Sequence, residues 1–296
     1  MIDRQKGKFA LSGSSARKLK RGSANLLAGR AYTYNLHPLT SVELEADFKL
    51  IDYLAFGGLP HIWNIHSAEE KTLYLRSYIT TYLKEEVAEE QIVRKLEPFS
   101  KFLQVAAQSS GQIVNYKNIS KDVGVSDQTV KSYFQILEDT LLGFMIPSFS
   151  HSIRKSQGKS PRFYFFDNGV LRALRRTVNQ PVSESNYEFG SLFEHFIIQE
   201  IKNRGGYMGK DYNYYFLRLA SDDEIDLIID RPGKPLAAIE IKSTTAIKEE
   251  HTKVIRRLGP DLGDAELFLL SRDQNSKRFG ELKCLHWEEG IKEIFV

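Results

Sequence analysis

The sequence lacks several features that assign a protein to a class. It has one cysteine, Cys284, among 296 residues, which excludes an internal disulfide framework and a zinc site built from several cysteines of one chain. It has no run of ~18 apolar residues, so no membrane span is predicted. Residues 1–6 lack the apolar segment of a secretory signal. These absences predict a cytoplasmic protein that folds under reducing conditions.

The sequence also has little excess charge of either sign. The formal net charge is +3, from 41 Lys and Arg against 38 Asp and Glu, so contact with nucleic acid would depend on local clustering. Basic residues cluster at 17–21 (RKLKR) and at 154–162 (RKSQGKSPR). A solvent-exposed loop is the ordinary interpretation of each cluster.

Residues 99–149 have the pattern of three short helices followed by a strand. Gly124 marks a turn, and Ser126 is a natural N-cap for the third helix. The apolar run 144–146 can begin a β-wing, so the order predicts a winged helix-turn-helix. In a DNA-binding role, Gln128, Thr129 and Lys131 would face the major groove. Packing or protein contact is an equally open use, since Lys121 and Lys131 are the only cations nearby.

The C-terminal half alternates between helix and strand patterns. A helix at 188–204 precedes strands near 212–219, 225–230 and 236–242, a helix near 247–258, and strands near 265–270 and 282–287. This order predicts an α/β layer. On the first helix, Glu194 borders the apolar stripe and is placed to lean over the sheet, whereas Glu200 is expected to face solvent.

The strands at 225–230 and 236–242 flank five residues rich in turn formers, which predicts an antiparallel hairpin. A register symmetric about Gly233 places Asp226 opposite Glu240 and Glu224 opposite Lys242. In this register the remaining apolar side chains share the other side of the sheet: Ile225, Leu227, Ile229, Ile239 and Ile241.

Two carboxylates ~5 Å apart repel each other unless a cation lies between them. Mg²⁺ takes oxygen ligands, usually one or two carboxylates with water and phosphate, and the Ile241 carbonyl could add another. Lys242 would then orient or deprotonate a water, or stabilise phosphate charge. The alternative is that Lys242 pairs with Glu224 while Asp226 and Glu240 face water.

Asp226, the Glu240-Ile241-Lys242 triplet and the helical Glu194 together resemble the core of the PD-(D/E)XK nucleases. The resemblance implies that Asp226 and Glu240 bind the metal, that Lys242 is the catalytic lysine and that Glu194 is the helix carboxylate. Ile225 stands where the motif has proline, a position that is loosely kept in the superfamily. The function implied is Mg²⁺-dependent cleavage of phosphodiester bonds.

The whole chain resembles the C-terminal part of a prokaryotic AAA+ ATPase family with a winged helix and a nuclease-like domain. The similar segments are 11–15 (LSGSS), 27–30 (LAGR) and 37–40 (HPLT). The resemblance implies that Ser12 or Ser14 senses the γ-phosphate of ATP and that Arg30 is an arginine finger.

The sequence has no G-x-x-x-x-G-K-[ST] loop, so ATP hydrolysis by this chain alone is not expected. ATP would be a cofactor only if a P-loop is supplied elsewhere. Three explanations stay open: a truncated relative, a missing N-terminal portion, or a nucleotide site on another chain.

The expected fold class is therefore multi-domain α/β, in four parts. Residues 1–40 are a remnant of an AAA+ core, 41–98 a helical lid or linker, 99–150 the winged helix-turn-helix, and 151–296 a restriction-endonuclease-like domain. The expected partners are DNA and either a second copy of the chain or an ATPase chain, without a membrane. The alternative functions are a non-catalytic DNA-binding or regulatory module and a protein-interaction fragment.

Overall fold

The computed structural model of the protein describes residues 10, 32–83, 96–150 and 159–296. Helices come first, followed by a two-stranded sheet and then a six-stranded sheet. The protein is thus a mixed α/β protein of several units, as the sequence predicts. The residues Ser12, Ser14 and Arg30, and the basic cluster at 17–21, lie outside the described residues. Within the described ranges, none of the helices is long and apolar enough to cross a membrane.

The N-terminal part of the described chain consists of short helices. They are α1 (Ser41–Leu44), α2 (Leu50–Phe56) and α3 (Ala68–Ser77), with a 3₁₀ turn at Pro60–Asn64 and a π-helical segment at Tyr78–Leu83. Thr40 and Glu43 form a capping box at the start of α1, and Ser67 caps α3. These caps satisfy amides that would otherwise have no partner, so helices of this length can form.

Three helices and a two-stranded sheet follow, in the order of a winged helix-turn-helix. They are α4 (Leu96–Gln108), α5 (Tyr116–Val123), α6 (Asp127–Asp139), β1 (Gly143–Ile146) and β2 (Arg162–Phe165). Gly124 ends α5 with φ 79°, and the Ser126 hydroxyl accepts a hydrogen bond from the Thr129 amide (3.1 Å). β1 and β2 are antiparallel partners, so this sheet crosses the expected boundary at residue 150.

A buried carboxylate, Asp167, joins this unit to the N-terminal helices. It caps α7 (Asn168–Leu174) by accepting a hydrogen bond from the Val170 amide (2.9 Å), and it also accepts one from the Gly58 amide (2.7 Å). Gly57, with φ 76°, passes so close that a Cβ atom there would lie 2.1 Å from an Asp167 oxygen. Glycine is therefore required at this turn.

The C-terminal half contains the six-stranded sheet, in the spatial order β3-β4-β5-β6-β8-β7. Its elements are α8 (Tyr187–Tyr207), β3 (Asn213–Arg218), β4 (Glu224–Asp230), β5 (Ala237–Lys242), α9 (Lys253–Leu258), β6 (Glu266–Ser271), β7 (Lys277–Phe279), β8 (Leu282–His286) and α10 (Trp287–Phe295). β3, β4 and β5 are antiparallel, while β5, β6 and β8 are parallel. Helix α8 contacts β5, α10 contacts β6 and β8, and α9 contacts β4 and β5.

The β4–β5 hairpin has the predicted register. Leu227 pairs with Ile239 and Ile229 with Ala237, which is symmetric about Gly233. Arg231 fixes the turn, since its guanidinium donates to the Pro235 carbonyl (3.0 and 2.8 Å) and to a carbonyl of α10 (3.1 Å). The hairpin is therefore held firmly at its turn end.

A β-bulge interrupts β4 at Asp226. Tyr215 pairs with Ile228 and Leu217 with Ile225, so Asp226 and Leu227 together lie opposite one residue of β3. The expectation that Ile225 shares a face with Leu227 is wrong. Ile225 packs with Ile228 in a second apolar cluster, because the bulge breaks the simple alternation of the strand.

The main hydrophobic core is continuous across the chain. One cluster includes buried residues from Leu44 in α1 to Phe295 in α10, with members in the three-helix unit and on β4 and β5. The second cluster lies between the sheet and α9. Both faces of the central strands are therefore buried, which fixes the positions of the polar residues at their ends.

Candidate functional site: a carboxylate cluster at the open end of a hairpin

The candidate site lies where the β4–β5 hairpin stops pairing. The last pair is Leu227 with Ile239, one residue before Asp226 and Glu240. Beyond it, Asp226 Oδ2 accepts a hydrogen bond from the Ile241 amide (2.8 Å). Asp226 and Glu240 are 4% and 5% exposed. Two acidic side chains are thus buried at the end of one hairpin, whereas the expected role of the Ile241 carbonyl as a ligand stays a prediction.

Glu240 and Lys242 form an ion pair. Lys242 Nζ lies 2.6 Å from Glu240 Oε1, while Glu240 Oε2 is buried and has no hydrogen-bond partner. Lys242 therefore pairs within its own strand, in place of the cross-strand pairing with Glu224 considered above. A buried carboxylate oxygen without a partner is costly, and it is an available ligand for a cation.

The structure adds a residue that sequence reasoning did not assign to the site, Arg162. It was expected to lie in a solvent-exposed loop, but it begins β2 and is 4% exposed. Its Nη2 lies 2.5 Å from Glu224 and its Nη1 3.7 Å from Glu194, and the guanidinium stacks 4.7 Å from the Phe216 ring centre. A buried arginine requires such partners, which come from distant parts of the chain.

Glu194 on α8 leans toward this cluster, as the sequence predicts. Its Oε1 accepts a hydrogen bond from the Tyr164 hydroxyl (3.0 Å), and Tyr164 is itself buried on β2. The other glutamate of this helix, Glu200, is buried, so its expected exposure to solvent is wrong. The start of α1 covers Glu200, and the Ser41 amide (3.0 Å) and hydroxyl (2.7 Å) both donate to its carboxylate.

Burial and mutual repulsion oppose the ionisation of these acids. Burial, followed by the charge of Asp226, raises the pKa of Glu240 to about 8 and that of Glu194 to about 8. Burial also raises the pKa of Asp226, although Lys242 and the Ile241 amide oppose that shift. For Lys242, burial would lower the pKa, but Glu240 and Asp226 together raise it. Lys242 is therefore a resident ammonium ion beside the carboxylates.

The donor chemistry of the cluster fits a hard divalent cation. The acids offer carboxylate oxygens, one of them the unpartnered Oε2 of Glu240, and Mg²⁺ typically binds one or two carboxylates together with water and phosphate. The described part of the chain contains no group of three or more His, Cys, Asp or Glu arranged to hold a metal ion. Asp226 and Glu240 are the two acids of the hairpin that could hold such a cation together with water and phosphate.

One weak sequence signal pointed to Arg162. It immediately precedes the apolar run 163–166, so a charged residue borders a buried strand. Tyr164 lies inside that run and resembles any core aromatic residue. Neither assignment could be made from sequence, since both depend on how β2 packs against α8 and β4.

The candidate DNA-contacting residues lie at the start of α6, away from the buried core. Gln128 and Lys131 are exposed, while Thr129 is partly buried and shares a hydrogen bond with the Ser126 hydroxyl (2.9 Å). Lys131 Nζ lies 5.4 Å from the centre of the Tyr116 ring. Two of the three predicted side chains are thus accessible to a partner, and the third serves partly as a cap.

Comparisons with known proteins give two matches to domain families. Residues 47–181 match a domain of unknown function, DUF8612, and residues 189–289 match a second domain of unknown function, DUF4143. The second match includes Glu194, Asp226, Glu240 and Lys242. The first includes Arg162 and the three-helix unit, so the carboxylate cluster draws residues from both matched regions.

Similar proteins occur in bacteria and archaea. An uncharacterized protein of Mycobacterium tuberculosis is 26% identical over 247 residues, which cover 83% of this chain and 55% of the relative. Uncharacterized proteins of Haemophilus influenzae and Methanocaldococcus jannaschii are 22% and 20% identical, over 83% and 85% of this chain and 64% and 59% of their own. The chain spans less than two thirds of the length of each of these relatives.

Proposed function

We propose that the α/β unit is a Mg²⁺-dependent phosphodiesterase of the PD-(D/E)XK type that acts on DNA held by the three-helix unit. The observation that carries the proposal is the buried, unpartnered Oε2 of Glu240, next to Asp226 and Lys242 at the open end of the hairpin. A β-bulge at this position supports it, because bulges often direct a side chain into an active site.

In this proposal the chain contributes positioning and charge. Asp226 and Glu240 would hold Mg²⁺, which when bound lowers the pKa of a coordinated water and neutralises phosphate charge. The Ile241 amide fixes the orientation of Asp226. Lys242 orients the attacking water or stabilises the phosphate, and Glu194, with a pKa near 8, can accept or return a proton near neutral pH.

Metal-dependent cleavage by matched asparagine variants tests this function. We expect wild-type protein to cut DNA in Mg²⁺ or Mn²⁺ and Asp226→Asn to lose activity by about a hundredfold or more, since it removes a ligand. Asp230→Asn, at the other end of the same strand, is the control and retains activity. Equal cutting by Asp226→Asn and wild type would refute the proposal, as would no cutting of any single- or double-stranded DNA or RNA.

The DNA-holding role of the three-helix unit has its own test. Lys131→Glu replaces an exposed cation at the start of α6, so we expect about tenfold weaker binding and a salt dependence reduced by about one phosphate contact. Lys234→Glu makes the same charge change at the exposed β4–β5 turn and leaves binding unchanged. Fluorescence anisotropy over a salt series measures the DNA affinity of both variants. Equal losses of affinity would show that only the net charge of the protein matters and would contradict a specific role for Lys131.

We further propose that the chain corresponds to the C-terminal part of an AAA+ ATPase-family protein. The similarity of segments 11–15, 27–30 and 37–40 supports this, with Ser12, Ser14 and Arg30 as nucleotide-sensing residues. The partner chain would be an ATPase or a second copy, and ATP would bind only where a P-loop is supplied. This chain should then stimulate the ATPase activity of a P-loop-containing homologue when the two are mixed. The Arg30→Ala variant should lose that stimulation.

A second candidate function is a non-catalytic DNA-binding or regulatory module. The observation in its favour is that two cations already pair with acids of the cluster, Lys242 with Glu240 and Arg162 with Glu224. This candidate predicts salt-dependent DNA retention that is lost in Lys131→Glu and unchanged in Glu240→Ala, with no cleavage. The two candidate functions therefore differ in whether substitution of Glu240 changes the activity of the protein on DNA.

A further inference from the structure

We propose that Arg162 is a built-in counter-ion of the carboxylate cluster, which competes with a divalent cation and so sets the affinity of the site for metal. This inference rests on the metal-binding part of the proposed function. It assigns a role to a residue outside the PD-(D/E)XK motif, at the start of β2.

The geometry shows Arg162 among three acidic groups from two elements, β4 and α8. One arm of the guanidinium binds Glu224 at the start of β4 (2.5 Å), and the other lies 3.7 Å from Glu194 on α8. Asp226, two residues from Glu224, also acts electrostatically on Arg162. The charge of Arg162 is thus shared by carboxylates of β4 and α8.

The side chain is locked in place rather than free to swing. Arg162 is 4% exposed, its guanidinium rests on the Phe216 ring, and its backbone belongs to both the β1 ladder and a bridge to Ile113. Phe216 is the residue of β3 that lies opposite the bulge at Asp226. The Arg162 guanidinium therefore stacks on the residue that faces the bulge at Asp226.

A fixed positive charge beside a metal site weakens metal binding. The dication and the guanidinium would repel each other in a poorly solvated setting, where charges interact strongly. The Arg162 Nε is buried without a hydrogen-bond partner, so the guanidinium is incompletely satisfied by its acids. Removing the charge should leave Glu194 and Asp226 uncompensated and available to a cation.

Mn²⁺ binding to the full chain tests this inference, measured by the electron paramagnetic resonance signal of free Mn²⁺. We expect Arg162→Gln to bind Mn²⁺ about tenfold more tightly than wild type, whereas Arg162→Lys, which keeps the charge, binds as wild type does. Arg218→Gln removes an exposed arginine paired with Asp222 (3.1 Å) and is the matched control without effect. If Arg162 had a purely structural role, the Arg162→Gln and Arg162→Lys variants would not differ in their affinity for Mn²⁺.

The double variant Arg162→Gln/Glu224→Gln provides a second measurement if the single variant unfolds. It removes both members of an ion pair, which is better tolerated than leaving one buried charge, and tighter Mn²⁺ binding is again expected. Circular dichroism verifies the fold of each variant. Unchanged or weaker Mn²⁺ binding by every folded variant that lacks the Arg162 charge overturns the inference.

Glu240→Gln separates this inference from the proposed function. Mn²⁺ binding that is lost in Glu240→Gln but insensitive to Arg162→Gln overturns the counter-ion role alone. Mn²⁺ binding that persists in Glu240→Gln, or is absent from all variants, overturns both. Both proposals are supported if Mn²⁺ binds weakly to wild type and tightly to Arg162→Gln, and if adding Glu240→Gln to Arg162→Gln abolishes that tight binding.

Discussion

Glu240 holds a carboxylate where burial and the Asp226 charge both oppose ionisation. Its pKa is raised to about 8, while the same side chain in an unfolded chain titrates near 4.5. Between these values the folded protein binds more protons than the unfolded protein. The free energy of unfolding must therefore fall as the pH rises through this window.

We expect Glu240→Gln to remove this dependence. In metal-free buffer, the unfolding free energy of the variant relative to wild type should increase between pH 5 and pH 8.5, by about 1 to 3 kcal/mol. Urea titrations at both pH values measure the change, with the exposed Glu281→Gln as control. A constant difference between variant and wild type would contradict the pKa shift.

At the scale of single residues, the sequence identified the groups linked by local spacing. Asp226, Glu240 and Lys242 lie on one hairpin, and Glu194 borders a regular helical stripe, so pattern alone brings them near one another. Glu200 also pairs with Arg204 within α8 (2.6 Å). Arg162 and the buried Glu200 were nevertheless misassigned, because their partners from elsewhere in the chain, Glu224 and Ser41, are 62 and 159 residues away. Periodicity carries no information about such pairs.

Among the elements, α2 and α7 depend on one turn between them. Gly57 ends α2 with a positive φ (76°), and Asp167 accepts a hydrogen bond from the next amide while it caps α7. A side chain at Gly57 would meet the Asp167 carboxylate and break both contacts. The helices would then lose a shared buried anchor.

Gly57→Ala should destabilise the protein by about 2 to 4 kcal/mol, from backbone strain and steric overlap together. Gly233→Ala provides the matched comparison, because its φ is also positive (81°) but nothing lies within 4 Å of the added methyl group. It should cost only about 1 kcal/mol. Thermal denaturation measures both, and equal losses would show that the Asp167 contact is unimportant.

Elements with strong local signals were predicted closely. The β4–β5 register followed from the turn centred on Gly233, and α6 begins after Ser126 as its cap predicts. The pairing of β2 with β1 was not predicted, since the 15 residues between the strands carry no hairpin signal. The bulge was also not predicted, because the side chains of β4 were assumed to alternate without interruption between the two faces of the sheet.

The whole described molecule shares one main core. Buried residues of the N-terminal helices, the three-helix unit and the six-stranded sheet belong to a single cluster. Aromatic contacts join distant parts directly, since Phe48 packs against Phe196 and Trp287 (both 5.8 Å between ring centres). Such continuity favours a single cooperative unfolding transition.

The two tryptophans allow this to be tested, because Trp63 reports on the N-terminal helices and Trp287 on the sheet. In Trp63→Phe and in Trp287→Phe, the remaining tryptophan should give a fluorescence midpoint that coincides with the circular dichroism midpoint of the same variant. Separate midpoints within either variant would show that the helical part and the sheet unfold independently. Wild-type protein, with both reporters, serves as the reference.

The bulge on β4 has an evolutionary consequence. If Asp226 is skipped, Ile225, Leu227, Ile228 and Ile229 alternate regularly between the two apolar clusters. Asp226 is thus the extra residue in an otherwise ordinary strand. A one-codon deletion would restore an unbroken ladder and eliminate the acid at the same time, so among relatives this site can disappear through a change in chain length while the surrounding core stays the same.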